Sequence, residues 1–215
     1  MTKKKTAESA TRSSYRHGDL RRALIDAGVQ LARAGGPDAV VLREATRQAG
    51  VVPNAAYRHF EDRGDLLQAV CSAAQAELAR AIEAELAVCP RSRNAATAAR
   101  ARLRAVGTGY LRFAQAEPGL FRTAFSVHES LEKATIPDMA GKSGLTPFQL
   151  LGSALDDMLK AGILPPERRP YAEVLAWSAV HGLAMLLIDG PLRVLDAKQA
   201  QVMGERVIDM VEGGL

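Results

Sequence analysis

The chain has 215 residues, 47% of them hydrophobic but only 5% aromatic, and a formal net charge of +4. That length suits one large domain, or a small one fused to a larger one, and the scarcity of alternating apolar and polar runs argues against strands and predicts an all-helical fold. The charge is uneven: residues 1–70 hold 12 Lys/Arg against 8 Asp/Glu while the remainder holds 16 of each, which is the footprint of phosphate contact or of a solubilising basic surface.

Residues 1–14 (MTKKKTAESATRSS) lack apolar periodicity and are expected to form a disordered basic arm, with no apolar core of a secretory signal. A first helix is predicted over Gly18 to Ala34, with Asp19 near its start and Leu20, Leu24, Ala27 and Leu31 in one apolar stripe. Gly35-Gly36-Pro37 stops it. A short second helix is expected over Leu42 to Ala49, a turn at Gly50, and another short helix opened by Pro53 and ended by Phe60. Two short helices joined so tightly form a helix-turn-helix, whose second helix enters the DNA major groove.

A long helix then carries Leu66, Leu67, Val70, Ala73, Ala74, Leu78, Ile82 and Leu86 at helical spacing and ends by Pro90. The expected domain boundary lies inside it, dividing a head at 15–65 from a body at 66–215. Cys71 and Cys89 are some 18 residues apart on that helix, roughly 27 Å at 1.5 Å per residue, so no bond joins them within the chain. Both are expected as buried apolar residues of a reducing compartment.

A fifth helix is predicted from about Asn94, its cap, to Ala116, and a short sixth from Pro118 through Phe125. Residues 127–145 form a loop too long to be mere connection. Thr146-Pro147 reads as cap and first residue of a helix reaching Ala161 and closed by Gly162. An eighth helix, about Glu167 to Ile188, is apolar almost all round and is expected to be buried on most sides. Asp196 can cap a last amphipathic helix through Met210. These two helices read either as a homodimer seam, drawing on Val174, Val180, Met185, Val202, Val207 and Ile208, or as a core helix and a surface helix of one monomer. The expected total is about nine helices.

DNA readout needs short polar side chains at the exposed start of the recognition helix, flanked by cations and aromatics for phosphate. Pro53, Asn54 and Ala55 occupy that turn, followed by Tyr57, Arg58 and His59. Asn54 can pair two-pronged with adenine and Ala55 can meet a thymine methyl. Arg43 and Arg63 stand where backbone phosphates are expected. Tyr57 and His59, two residues apart, leave the helix on different sides. Phe60 is expected to plug the head's core.

Tyr15–Leu24 (YRHGDLRRAL), Leu42–Val51 (LREATRQAGV) and Tyr57–Leu67 (YRHFEDRGDLL) resemble the N-terminal domain of the tetracycline-repressor (TetR) family. Glu117–Arg122 (EPGLFR) and Trp177–Leu183 (WSAVHGL) are similar to the C-terminal domain of one subgroup, marked by a Trp…His-Gly signature. The resemblance implies a dimeric regulator, usually a repressor, on a palindromic double-stranded DNA operator. It also implies a body that dimerises through its last two helices and holds a small-molecule pocket. An effector there would move the fourth helix and reset the spacing of the two recognition helices. Two residues depart from the pattern. Val52 stands where relatives carry a capping Ser or Thr, and Thr46 where they carry Ala.

Candidate pocket residues are Tyr110, Phe113, Phe121, Phe125, Phe148, Met158, Trp177 and His181, with plain core as the competing reading for each. The four histidines are scattered without metal-ligand spacing, and no phosphate loop or Ser elbow appears. No enzymatic activity, cofactor, metal or membrane association is therefore expected, and the cytoplasm follows. An architectural or activating DNA-binding protein of the same fold is the alternative, and an all-helical enzyme a remote one.

Overall fold

The computed structural model describes residues 17–127 and 135–215; the arm expected at 1–14 and His128 lie outside the described residues. Among the described residues there are nine α-helices and no strand: α1 (His17–Gly35), α2 (Leu42–Gln48), α3 (Pro53–Ala56), α4 (Arg63–Val88), α5 (Ala95–Ala116), α6 (Pro118–Ala124), α7 (Pro147–Lys160), α8 (Ala172–Ile188) and α9 (Ala197–Gly214).

Helix starts follow the local sequence closely. The Asp62 side chain accepts from the Asp65 amide at 3.0 Å and opens α4. Asn94 accepts from the Thr97 amide at 2.9 Å and opens α5. Thr146 with Gln149 and Asp196 with Gln199 form reciprocal capping boxes on α7 and α9, each satisfying amides that the helix leaves unpaired. The eighth helix departs from expectation, starting at Ala172 rather than near Glu167. Pro170 lacks the amide that a helix interior requires. The chain instead makes a 3-10 turn over Pro166–Arg168 and passes through Tyr171 at φ 63°, in the left-handed region, before α8 begins.

The head packs α1, α2 and α3 around Leu24, Val40, Ala45, Ala56 and Phe60, with Leu66 and Val70 of α4 completing the same core. Phe60 is 3% exposed, as expected, and the Arg21 guanidinium stacks over its ring at 5.4 Å. The α4 helix, about 39 Å long at 1.5 Å per residue, then leaves the head and packs along α5, α6 and α7. A second joint lies between α1 and α6. A Cβ at Gly119 would stand 2.5 Å from the Ala32 carbonyl oxygen and 2.8 Å from that of Arg33, so glycine lets the start of α6 rest directly on the end of α1. Cys71 is buried within α4, whereas Cys89 is only half-buried. The helix ends one residue before it and turns away to Pro90, so the expectation of two buried cysteines holds for Cys71 alone.

Candidate DNA interface and effector cavity

The helix-turn-helix is built around Gly50. Its φ of 69° ends α2, with the Gly50 amide donating to the Arg47 carbonyl at 3.2 Å and the Val51 amide to that of Thr46 at 3.0 Å. This pairing satisfies the last carbonyls of α2 and turns the chain sharply toward α3. Thr46 is 1% exposed, and its hydroxyl donates to the Arg43 carbonyl at 2.7 Å, so the tight contact accepts it without an orphaned polar group. Val52 makes no side-chain cap and is 69% exposed; Pro53 follows as the first helical residue.

The recognition helix is shorter than expected. It covers Pro53–Ala56, and Tyr57 to His59 follow in a turn. Pro53, Asn54, Tyr57, Arg58 and Arg43 are exposed, Ala55 and His59 half-buried. Tyr57 is thus exposed and His59 half-buried, both in the turn and not on the helix expected to spread them. Arg43 and Arg58 have no ion-pair partner among the described residues, while Arg47 pairs with Glu44 at 2.5 Å. Arg63 is already engaged: its Nε donates to the Val40 carbonyl at 2.8 Å and its Nη2 to that of Pro37 at 2.7 Å. It clamps the loop between α1 and α2, an internal role its sequence position did not reveal.

The body forms a cavity of about 510 Å³ between α4, α5, α6, α7, α8 and α9. Five of the eight candidate residues line it: Tyr110, Phe125, Phe148, Trp177 and His181. Phe113, Phe121 and Met158 do not; they are buried at 6%, 0% and 1% exposure in the surrounding core. Phe121 backs the lining, its ring meeting Tyr110 edge-on at 5.4 Å and Phe125 at 5.0 Å.

Three polar groups of the lining are wired together. The Trp177 indole donates to the Tyr110 hydroxyl at 3.0 Å, and that hydroxyl lies 2.7 Å from His181 Nδ1. Burial pushes the Tyr110 hydroxyl well above the ordinary phenol range and lowers His181 below the ordinary histidine value, so both are neutral near pH 7. The indole can only donate, so Tyr110 accepts from it and sends its own proton to Nδ1. The reverse assignment would leave the buried tyrosine proton without an acceptor among the described residues. His181 therefore carries its proton on Nε2.

Several lining residues were not foreseen. Cys71, Gln75 and Ile82 line the cavity from α4, and the Gln75 amide donates to the Ala124 carbonyl at 2.8 Å. The signal was available: Gln75 is a polar residue on the same stripe as Cys71, Leu78 and Ile82.

The seam expectation needs a correction. Val180 and Ile208 are 8% and 5% exposed and face the cavity, so they are not available to a partner. Val174 and Val207 are half-buried, while Met185 and Val202 are open. On α8 the exposed positions Leu175, Ser178, Gly182, Met185 and Leu186 form a stripe at helical spacing, and Val202, Met203 and Met210 continue bare apolar surface on α9. The α8 helix is apolar all round because one side walls the cavity and the other is left uncovered.

A glycine turn joining two short helices beneath an exposed polar and cationic rim, carried on a helical body with an interior cavity, defines a DNA-binding transcriptional regulator. Residues 24–70 match the family described as bacterial regulatory proteins, tetR family, and residues 103–211 match the tetracyclin repressor-like C-terminal domain. The chain belongs to the TetR family. Among solved structures it is similar to a protein of unknown function from Rhodococcus sp. RHA1, at 25% identity over 95% of this chain and 99% of that one, with a TM-score of 0.71. It is also similar to the transcriptional regulator FadR from Bacillus subtilis in complex with stearoyl-CoA, at 15% identity, 90% and 98% coverage and a TM-score of 0.64. RolR in complex with resorcinol matches at 16% identity, 90% and 88% coverage and a TM-score of 0.61. At such identities these last two share the fold alone. No curated protein matches the chain by sequence.

Proposed function

We propose that the protein is a cytoplasmic, homodimeric repressor, held on a near-palindromic operator by two heads and released when a small molecule fills the body cavity. The observation that carries this reading is the sharing of α4. Leu66 and Val70 of that helix belong to the head's core, and Cys71, Gln75 and Ile82 line the cavity. A ligand that fits one position of α4 better than another shifts the heads by its difference in affinity, and DNA shifts the ligand equally. Head (15–65) and body (66–215) then meet within one rigid lever. Dimerisation is supported by the bare apolar stripes on α8 and α9, with Ser178 and Gly182 leaving room for close helix approach. The similarity in fold to FadR and RolR, each solved with a small molecule, supports an effector-responsive body.

The test is a panel of small molecules added to the protein on its operator, following Trp177 fluorescence and DNA anisotropy together. A compound that changes both with matching midpoints supports the reading. Compounds that fill the cavity and leave operator affinity unchanged overturn it.

A further inference from the structure

Although 24% of the chain is charged, no Asp, Glu, Lys or Arg among the described residues lines the cavity. Its polar equipment is the neutral wired set of Trp177, Tyr110 and His181, with Gln75 and Cys71 on the opposing α4 wall. The indole N–H and the tyrosine hydroxyl are spent on one another and on Nδ1. Nε2–H of His181 has no protein acceptor among the described residues, so it is a donor held in place by the chain of hydrogen bonds behind it. Around it stand Phe125, whose ring centroid is 4.8 Å from the imidazole, and Trp177 at 5.8 Å. A buried ionic group would find no counter-charge among the described lining residues, and its desolvation would go uncompensated there. A volume of 510 Å³ holds about 17 waters at roughly 30 Å³ each, which sets the scale of a ligand at roughly 12 to 20 non-hydrogen atoms.

We infer that the effector is an uncharged, largely aromatic or aliphatic molecule of that size, carrying a carbonyl-type oxygen that accepts the Nε2–H of His181. The inference rests on the cavity being the effector site. It excludes carboxylates and phosphate-bearing thioesters from the interior of the cavity and makes His181 the residue that selects among apolar ligands.

The test uses three near-isosteric probes on the full-length protein without DNA: 4-tert-butylacetophenone, 1-tert-butyl-4-ethylbenzene and 4-tert-butylbenzoate. Binding is read from Trp177, the single tryptophan of the chain, and confirmed by calorimetry. The ketone is expected to bind about five- to tenfold more tightly than the hydrocarbon, the contribution of one hydrogen bond. It is expected to exceed the carboxylate by at least about 100-fold. His181→Phe should abolish the preference of ketone over hydrocarbon, and His181→Gln, which keeps an N–H donor, should restore part of it. A carboxylate that binds within tenfold of the ketone, a ketone no tighter than the hydrocarbon, or no response to any probe would overturn the inference. The three-probe comparison on the unmutated protein stands even where a variant fails to fold. Release from DNA is scored separately, so a ketone that binds without releasing DNA counts against the effector reading and not against the ligand class.

Discussion

The Arg33 guanidinium donates to the Glu117 carboxylate at 2.9 Å, tying the last turn of α1 to the residue that opens α6. Two residues on, Gly119 lies directly against the Ala32 and Arg33 carbonyls, and at Arg122 a two-pronged pair with Asp189 fixes α6 to the end of α8 at 2.7–2.9 Å. The run EPGLFR thus has a job at each end: it clips a seven-residue helix between the head and α8, while Ala124 and Phe125 at its far end face the cavity.

Glu117→Gln should change stability by less than about 1 kcal/mol, because both partners are about a third exposed and such pairs contribute little. Gly119→Ala should destabilise by roughly 1–3 kcal/mol, since its Cβ meets backbone that cannot yield locally. Urea unfolding of the two variants checks the contrast. Equal losses would mean that the ion pair, and not the backbone contact, holds the joint.

Asn54→Ala should relax base preference at one operator position, whereas Arg43→Ala and Arg58→Ala should weaken binding to all sequences and reduce the salt slope by about one each. Arg63→Ala should behave differently from both. It frees the Pro37 and Val40 carbonyls, so a lower melting temperature should accompany its loss of affinity. Anisotropy titrations over a salt series, paired with thermal melts, separate these three patterns.

Val52→Thr should stabilise the protein by about 0.5–1 kcal/mol, because it supplies the cap that α3 lacks at an exposed position. Chemical denaturation reads the gain. A loss would show that Val52 packs against something beyond the head.

Stability should depend on pH through His181. Its folded proton affinity is lowered by burial, so as pH falls through about 6.5 the unfolded chain takes up the proton first. Below that pH the unfolded state binds more protons, and stability drops until the folded imidazole also protonates. His181→Gln lacks this contribution. Its melting temperature should therefore fall less than that of the unmodified protein between about pH 7 and pH 5.

Local chemistry made much of this legible in the sequence. Asn94, Thr146 and Asp196 announce helix starts because a short side-chain oxygen before an apolar-periodic run has few other uses. Gly50 and Pro53 mark the turn for the same reason. What resisted was facing. Periodicity identifies an inward side only where the outward side is polar, and α8 is apolar on both. Spacing therefore places Val180 and Ile208 at the seam although they wall the cavity, and gives no sign that Leu175, Leu186, Met203 and Met210 are bare. Separating Phe113, Phe121 and Met158 from the true lining needs the depth of each side chain, which spacing does not carry. Pro170 is a local signal too, and α8 starts at Ala172, five residues beyond the expected Glu167.

Selection of bound sequences from random duplex DNA by the purified full-length protein at moderate salt tests the central claim most directly. Two heads carried by one symmetric dimer predict a single enriched motif with two-fold symmetry, its half-sites separated by one helical turn or a multiple of it. Enrichment of an unsymmetrical motif, or of none, would contradict it.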